Sequence, residues 1–229
     1  PPNSTEAVSV RDGYYSLPEA ETRTKTRSDQ AECPVGHKCV GGVKSKCDTG
    51  SIAPETGMTS CRPCRDCGAG RHLVSTCTED GSADTVCNAC DAGRYQSDVN
   101  QASCNPCPEG HFCPEGAQAP LECGTPALYC PPNSTEAVSV RDGYYSLPED
   151  ETRAKTRSDQ AECPTGHKCV GGVKSKCDAG SIAPETGMTS CRPCRDCAAG
   201  RYLVSYCTED CSADTCLLYT SDAADDDAC

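Results

Sequence analysis

The chain has 229 residues, and 24 of them are cysteine, against 20 glycines, 17 prolines, one phenylalanine and no tryptophan. So few large apolar side chains exclude ordinary domains built around hydrophobic cores, and so many cysteines indicate small modules held by disulfides in an extracellular or secretory compartment. The net charge of −13 argues against nucleic acid and anionic membranes as partners.

The sequence contains neither a signal peptide nor an apolar run of about 18 residues, the length that a membrane-spanning helix needs. Because a secreted protein requires a signal peptide, we interpret the sequence as a fragment. We expect membrane contact only through segments that are absent from it.

Residues 1–85 and 131–215 are near copies that differ at eight aligned positions. The stretch CLLYTSDAADD, which begins at Cys216, departs from the copy and resembles a translated sequencing-library adapter. We therefore interpret residues 216–229 as an artefactual tail.

Each copy opens with a segment that has no cysteine. Residues 1–32 are predicted to be the connector of a truncated repeat, and residues 131–162 form the same connector in the second copy. The tripeptide Asn-Ser-Thr begins at Asn3 in the first connector and at Asn133 in the second, and Asn-X-Thr is the acceptor pattern for N-glycosylation. Asn3 and Asn133 are therefore candidate glycan sites.

A short motif, C-P-x-G-x-x-C, follows the first connector. It occupies Cys33 to Cys39 and recurs from Cys107 to Cys113. Proline and glycine after the first cysteine favour a tight turn, which brings the flanking stretches of chain close together.

The cysteine spacing becomes most specific from Cys47 onward. Thirteen residues separate Cys47 from Cys61, which suits a short hairpin closed by a disulfide, and the next four cysteines suit two interlocked bridges. With the runs CRPCRDC and DTVCNAC, this region resembles the cysteine-rich domain of the tumour necrosis factor receptor family. The resemblance implies the bridges Cys47–Cys61, Cys64–Cys77 and Cys67–Cys87. In the second copy it implies bridging cysteines at Cys177, Cys191, Cys194 and Cys207.

A further module begins at Cys90, where the thirteen-residue gap recurs before Cys104. The sequence CPEGHFCPEGAQAPLECGTPALYC follows and, together with the Gly-Tyr-Tyr segment, resembles the ephrin-receptor-like cysteine-rich repeats of large protist and invertebrate surface proteins. A bridge between Cys90 and Cys104 leaves six cysteines whose connectivity the spacing does not settle. For these six we predict the pairs Cys107–Cys123, Cys113–Cys130 and Cys33–Cys39.

These observations predict a small disulfide-rich fold, an elongated array of cysteine-rich modules with short β-hairpins and little regular structure. Six segments are expected. They are the connector 1–32, a receptor-type module 33–90, an ephrin-receptor-like module 90–130, the connector 131–162, a truncated second receptor-type module 163–215 and the tail 216–229.

The sequence contains no pattern that clearly indicates a metal site or a catalytic site. The Cys-x-x-Cys pairs resemble zinc knuckles, but a zinc ribbon leaves several cysteines, such as Cys77 and Cys113, without a role. The loop from Thr78 to Asp84 lacks the glutamate that ends a calcium-binding loop. No nucleophile, base and acid form a recognisable set. We therefore expect no metal and no cofactor, and we do not expect an enzyme.

The expected function is recognition or adhesion by a cell-surface or secreted protein, with a protein or glycan as ligand. By analogy with receptors of similar scaffold, the candidate contact residues are Arg65, Arg71, His72 and Tyr95. Two alternatives remain. One is the ectodomain of a signalling receptor whose kinase or adaptor domain lies beyond the sequence, and the other is a structural coat or matrix spacer.

Overall fold

The computed structural model describes residues 6–17 and 29–194, and it places the backbone of two further strands at 201–205 and 215–218. Within these residues the regular structure consists of two-stranded β-sheets, each formed by strands that follow one another in the chain. Helical structure is limited there to one 3-10 turn, Glu151–Arg153. A small disulfide-rich fold with short hairpins is therefore confirmed. No helix among the described residues is long and apolar enough to cross a membrane.

The strands are short because glycine and proline interrupt the chain every few residues. Those of residues 1–90 are β1 (Tyr14–Leu17), β2 (Asp29–Glu32), β3 (His37–Val40), β4 (Val43–Lys46), β5 (Ser51–Ile52), β6 (Arg62–Pro63), β7 (Arg71–Ser75) and β8 (Val86–Ala89). Next come β9 (Arg94–Tyr95), β10 (Asn105–Pro106), β11 (His111–Phe112), β12 (Leu121–Glu122), β13 (Leu128–Tyr129) and β14 (Val138–Ser139). The second copy contributes β15 (Tyr144–Leu147), β16 (Asp159–Glu162), β17 (His167–Val170), β18 (Val173–Lys176), β19 (Ser181–Ile182), β20 (Arg192–Pro193), β21 (Arg201–Ser205) and β22 (Thr215–Leu218).

The hairpin β3–β4 shows how local sequence sets the pairing. Val40 faces Val43 across Gly41 and Gly42, and the register is antiparallel. Both glycines have positive φ, 57° and 78°. A two-residue turn in which both residues have positive φ matches the right-handed twist of the strands, and glycine adopts it without steric cost. The second copy repeats this hairpin with the same register.

The chain divides into two compact units. The first comprises Pro1–Asp91, Tyr95–Asn105 and Glu115–Ala119, and the second comprises Ala92–Arg94, Pro106–Pro114 and Pro120–Cys229. This division is coarser than the six segments expected from the sequence, which remain a prediction.

Among the described residues, most of the buried hydrophobic ones are cysteines. Besides cysteines, the fully buried hydrophobic residues there are Ile52, Ala53, Ile182 and Ala183. Nine disulfides join described cysteines. In the chain-entropy model, closing a loop of about 15 residues with a disulfide contributes roughly 3 kcal/mol, so several bridges stabilise modules that bury little apolar surface.

The structure forms five of the bridges expected from the sequence. These are Cys33–Cys39, Cys47–Cys61, Cys64–Cys77, Cys67–Cys87 and Cys90–Cys104. In the second copy Cys163 pairs with Cys169, and Cys177 pairs with Cys191. Cys194 is also disulfide-bonded. Cys207, its expected partner, lies outside the described residues.

Two predicted pairs, Cys107–Cys123 and Cys113–Cys130, are wrong. The structure joins Cys107 to Cys113 and Cys123 to Cys130, each with 5.9 Å between Cα atoms. The cause is the C-P-x-G-x-x-C turn, in which the N–H of His111 donates to the carbonyl oxygen of Pro108. This turn brings the two cysteines of the motif within disulfide distance.

A repeated backbone motif, which we call the glycine relay, links stretches of chain that are distant in sequence within each unit. The carbonyl oxygen of Gly143 accepts a bond from the N–H of Cys163, and the carbonyl oxygen of Cys163 accepts one from the N–H of Gly187, both at 2.8 Å. The carbonyl of Gly187 then lies where a Cβ of Gly143 would be. The other relays are Gly13–Cys33–Gly57, Gly70–Cys90–Gly116 and Gly93–Cys107–Asn133.

The second connector contacts the preceding module within the second unit. The carbonyl oxygen of Lys155 accepts a bond from the N–H of Gly124 at 3.0 Å, and that of Arg157 accepts one from the N–H of Cys130 at 2.9 Å. The Lys155 ammonium also lies 3.9 Å from Glu122. Residues 18–28, which include the equivalent part of the first connector, lie outside the described residues.

Candidate functional site

An open groove lies beside the β3–β4 hairpin in the first unit. Lys38 and Val40 lie on the same face of β3, and Cys39, between them, is fully buried in its disulfide. On β5, Ser51 faces the groove while Ile52 is fully buried. Alternation along these short strands thus turns Lys38, Val40 and Ser51 toward the groove and leaves Cys39 and Ile52 in the interior beneath.

The groove has a volume of about 600 Å³. Its two walls come from separate stretches of chain that the Cys47–Cys61 bridge holds together. The lining residues are Lys38, Val40, Asp48, Gly50, Ser51, Thr59, Ser60, Cys61 and Pro63.

The second copy forms the same groove in the second unit, with a volume of about 700 Å³. The lining residues are Lys168, Val170, Asp178, Ala179, Gly180, Ser181, Thr189, Ser190, Cys191 and Pro193. Ala179 is the one lining residue of this groove whose counterpart differs, since the first copy has Thr49 there. The chain therefore carries one groove shape twice.

The chemistry of the groove suits a polar ligand. Hydroxyl groups of Ser51, Thr59 and Ser60 line it together with the oppositely charged Lys38 and Asp48. The Ser51 hydroxyl already donates to the Asp48 carbonyl oxygen at 2.7 Å, and the same bond recurs in the second copy. Thr59 and Ser60 are exposed, so their hydroxyls are accessible to donors and acceptors on a sugar or an extended peptide.

The predicted contact residues Arg65 and Arg71 lie outside this groove. The side chain of Arg65 is 70% exposed, and its Nε lies 4.0 Å from Asp84. The Nη2 atom of Arg71 donates to the carbonyl oxygen of Cys87 at 3.0 Å. The Arg71 guanidinium is therefore engaged by the backbone, whereas that of Arg65 stays largely exposed beside Asp84.

The other two predicted contact residues, His72 and Tyr95, are half-buried. The Nδ1 atom of His72 lies 3.5 Å from the sulfur of Cys104, and the backbone of Tyr95 forms an isolated bridge with Ala117. The four predicted residues remain candidates for ligand contact. Differences between the copies do not mark the groove, because most of its lining lies in residues 50–67, which are identical to 180–197.

Two aspartates between Cys77 and Cys87 are held in the charged form. The N–H of Arg65 and the guanidinium of Arg62 donate to the carboxylate of Asp84 and lower its pKa to about 2. Hydrogen bonds from Ser82 and Thr78 lower the pKa of Asp80 to about 2. Both carboxylates accept hydrogen bonds that fix the loop between Cys77 and Cys87.

His72, Cys90 and Cys104 place one nitrogen and two sulfur atoms within 4.8 Å of one another. The two cysteines are joined by a disulfide. Metal binding by cysteine requires the thiolate, which a disulfide does not provide. We therefore interpret the cluster as a histidine packed beside a bridge.

No protein-family model matches the chain. Over 238 residues, which cover 87% of the chain, it is 24% identical to Cysteine repeat modular protein A of Toxoplasma gondii. The chain is a cysteine-rich repeat protein. It spans about 7% of the length of that relative. Its many disulfides and this similarity are consistent with an extracellular or secreted cysteine-rich repeat protein.

Proposed function

We propose that the chain is part of an extracellular protein that acts in recognition or adhesion by binding a protein or glycan, without catalysis. The observation that carries this proposal is the same open polar groove in both copies. Two equal sites on one chain increase the apparent affinity for a ligand that is itself displayed in several copies, because the second contact is intramolecular.

The composition of the grooves supports a binding role. Among the lining residues there is one lysine, one aspartate and several hydroxyl groups in each groove, but no histidine or glutamate. The Ser51 hydroxyl donates to the backbone carbonyl oxygen of Asp48 and not to a side-chain base. A serine nucleophile requires such a base.

The disulfide pairing supports the finer proposal that the modules are of the tumour necrosis factor receptor type. Cys64–Cys77 and Cys67–Cys87 interlock, which is the pairing implied by that resemblance. On this proposal Arg65, Arg71, His72 and Tyr95 contribute further ligand contacts. The net charge of −13 favours a protein or neutral glycan over nucleic acid or an anionic membrane.

The test fills each groove in turn. Thr59→Arg and Thr189→Arg place a long side chain at an exposed lining position, while Thr56→Arg and Thr186→Arg make the same change at nearby positions outside the lining sets. Binding is measured to an immobilised glycan panel, and to cells with protease-treated or glycosidase-treated surfaces. The two treatments distinguish a protein ligand from a glycan ligand.

We expect each single groove variant to weaken binding and the double variant to abolish it. Bivalent engagement increases avidity by about 10²–10⁴ over one site, so loss of one groove has a large effect on multivalent surfaces. The control variants retain binding. Binding by the double variant at the level of the unaltered chain would contradict the proposal, and so would the absence of saturable binding, which is the behaviour of a structural spacer.

A further inference from the structure

The turn that opens the second copy places an asparagine at its exposed corner. The N–H and the hydroxyl of Ser134 both donate to the carbonyl oxygen of Pro131, at 3.2 and 2.6 Å. Pro132 and Asn133 are the two central residues of this turn from Pro131 to Ser134, and Asn133 has a φ of 62°. Proline followed by a left-handed asparagine or glycine is the favoured composition of a type II turn. The local sequence Pro-Pro-Asn-Ser therefore accounts for the turn.

The backbone of Asn133 is the last member of a glycine relay. Its N–H donates to the carbonyl oxygen of Cys107 at 2.9 Å. In the other three relays this left-handed position is held by a glycine: Gly57, Gly116 and Gly187. Glycine adopts positive φ more readily than asparagine does. The backbone alone therefore does not require asparagine here, and the distinguishing feature of Asn133 is its side-chain amide.

That amide lies in an accessible acceptor sequence. Asn133 and Thr135 are both exposed, and together with Ser134 they complete Asn-X-Thr. An exposed turn has room for a bulky, hydrated oligosaccharide, whereas a buried position has none.

We propose that Asn133 carries an N-linked glycan, so that this junction between modules is both a backbone relay and a modification site. A lipid-linked oligosaccharyl diphosphate is the donor class. The Asn133 Nδ2 atom forms a bond to the anomeric carbon of the first sugar and loses one proton. The bond between that carbon and the diphosphate oxygen breaks, and the diphosphate leaves with the electron pair. No oxidant or reductant is needed.

The test uses the full chain, secreted from eukaryotic cells behind a signal peptide. After reduction, trypsin releases residues 95–141 as one peptide, which contains Asn133 and is distinct from residues 1–11, which contain Asn3. Mass spectrometry before and after peptide N-glycosidase treatment then reports each site separately. We expect a glycan mass on the 95–141 peptide, and its removal with conversion of Asn133 to aspartate.

Three variants distinguish the effect of the glycan acceptor sequence from the effect of the turn conformation. Thr135→Ala leaves Asn133 in place, Asn133→Gly preserves the left-handed backbone, and Thr135→Ser retains the acceptor pattern. The first two are expected to lose the glycan completely from this peptide while secreting as fully oxidised chains, and the third to keep it. An unmodified 95–141 peptide in secreted, fully oxidised chain would overturn the proposal, provided that a glycoprotein co-expressed in the same cells is glycosylated.

Discussion

The carboxylate of Asp84 accepts a hydrogen bond from the backbone N–H of Arg65 at 2.8 Å. It also accepts one from the guanidinium of Arg62 at 2.8 Å. Asp84 precedes Cys87, while Arg62 and Arg65 flank Cys64, so this carboxylate ties together the two chain segments that the interlocked bridges Cys64–Cys77 and Cys67–Cys87 connect.

Asp84→Asn should loosen this connection, because the neutral amide is a weaker acceptor and loses the ion pair with Arg62. We expect the amide hydrogen of Arg65 to exchange several-fold faster with solvent. Glu79→Gln, a change of the same kind at an exposed carboxylate nearby, is the control and should leave that exchange rate unchanged. Equal rates for Asp84→Asn and the unaltered chain would count against this role.

The same contact gives a defined dependence on acid. The pKa of Asp84 in the folded chain is about 2, below its ordinary value of 3.8. A carboxylate whose pKa is lowered by folding stabilises the fold above its unfolded pKa, and this contribution disappears as the pH falls through the folded pKa. Protection of the Arg65 amide should therefore decline between about pH 4 and pH 2. A carboxyl chemical-shift titration of Asp84 with a midpoint near 3.8 would contradict the prediction.

Gly143→Ala should disrupt a glycine relay. Gly143 has a φ of 77°, and an added Cβ would overlap the carbonyl oxygen of Gly187. Gly171→Ala is the matched control, because its φ is also positive, at 57°, but no atom lies within 4 Å of the added Cβ. The left-handed conformation alone costs alanine about 1–2 kcal/mol.

We expect Gly143→Ala to lower the local opening free energy by about 3 kcal/mol in total, which is more than Gly171→Ala lowers it. Native-state exchange of the Cys163 amide hydrogen measures this directly, since that N–H donates to Gly143. Similar effects of the two substitutions on this amide would show that positive φ, and not the close approach of the two glycines, determines the cost.

Paired serine substitutions distinguish the disulfide patterns. Replacing both Cys107 and Cys113 removes one bridge of the structure and leaves no unpaired partner. Replacing both Cys107 and Cys123 breaks two bridges and leaves Cys113 and Cys130 unpaired. Alkylation of the oxidised chains, followed by mass spectrometry, should therefore detect no additional thiol in the first double variant and two in the second. The reverse outcome would restore the pairing that we had predicted from the sequence.

Asp150→Ala should weaken the 3-10 turn of the second connector. The carboxylate of Asp150 accepts a hydrogen bond from the N–H of Thr152 at 2.9 Å, and this bond lowers the pKa of Asp150. The first copy has Ala20 at the equivalent position, so the substitution makes the two copies alike there. We expect faster exchange of the Thr152 amide hydrogen at neutral pH. Glu151→Gln, at the next residue, should leave this rate nearly unchanged.

The sequence predicted the disulfide-rich class and five bridges of the first copy because these depend on short, regular cysteine spacings. The bridge Cys107–Cys113 closes the same C-P-x-G-x-x-C motif as Cys33–Cys39, so the motif by itself predicts it. The Cys123–Cys130 bridge then follows from the cysteines that remain.

The candidate groove was beyond prediction for a different reason. Lys38 and Pro63 reach the same surface only after the β3–β4 hairpin has packed beside the β5–β6 hairpin, and no local pattern encodes that packing. The contacts of Arg65 and Arg71 with Asp84 and Cys87 also depend on how the loops fold back. Residue type alone indicated two exposed cations and did not show these partners.

The order of the bridges along the chain determines what a protease does to this protein. Among residues 33–194, a backbone cut inside a disulfide-closed loop leaves the two new ends covalently joined. Residues 67–77 lie inside two such loops, those closed by Cys64–Cys77 and Cys67–Cys87. Residues 131–162 form the longest stretch there that no described bridge spans. A cut in this connector would leave the two sides joined only by non-covalent contacts, such as the hydrogen bond from the N–H of Cys130 to the carbonyl oxygen of Arg157, while the bridges on each side stay intact.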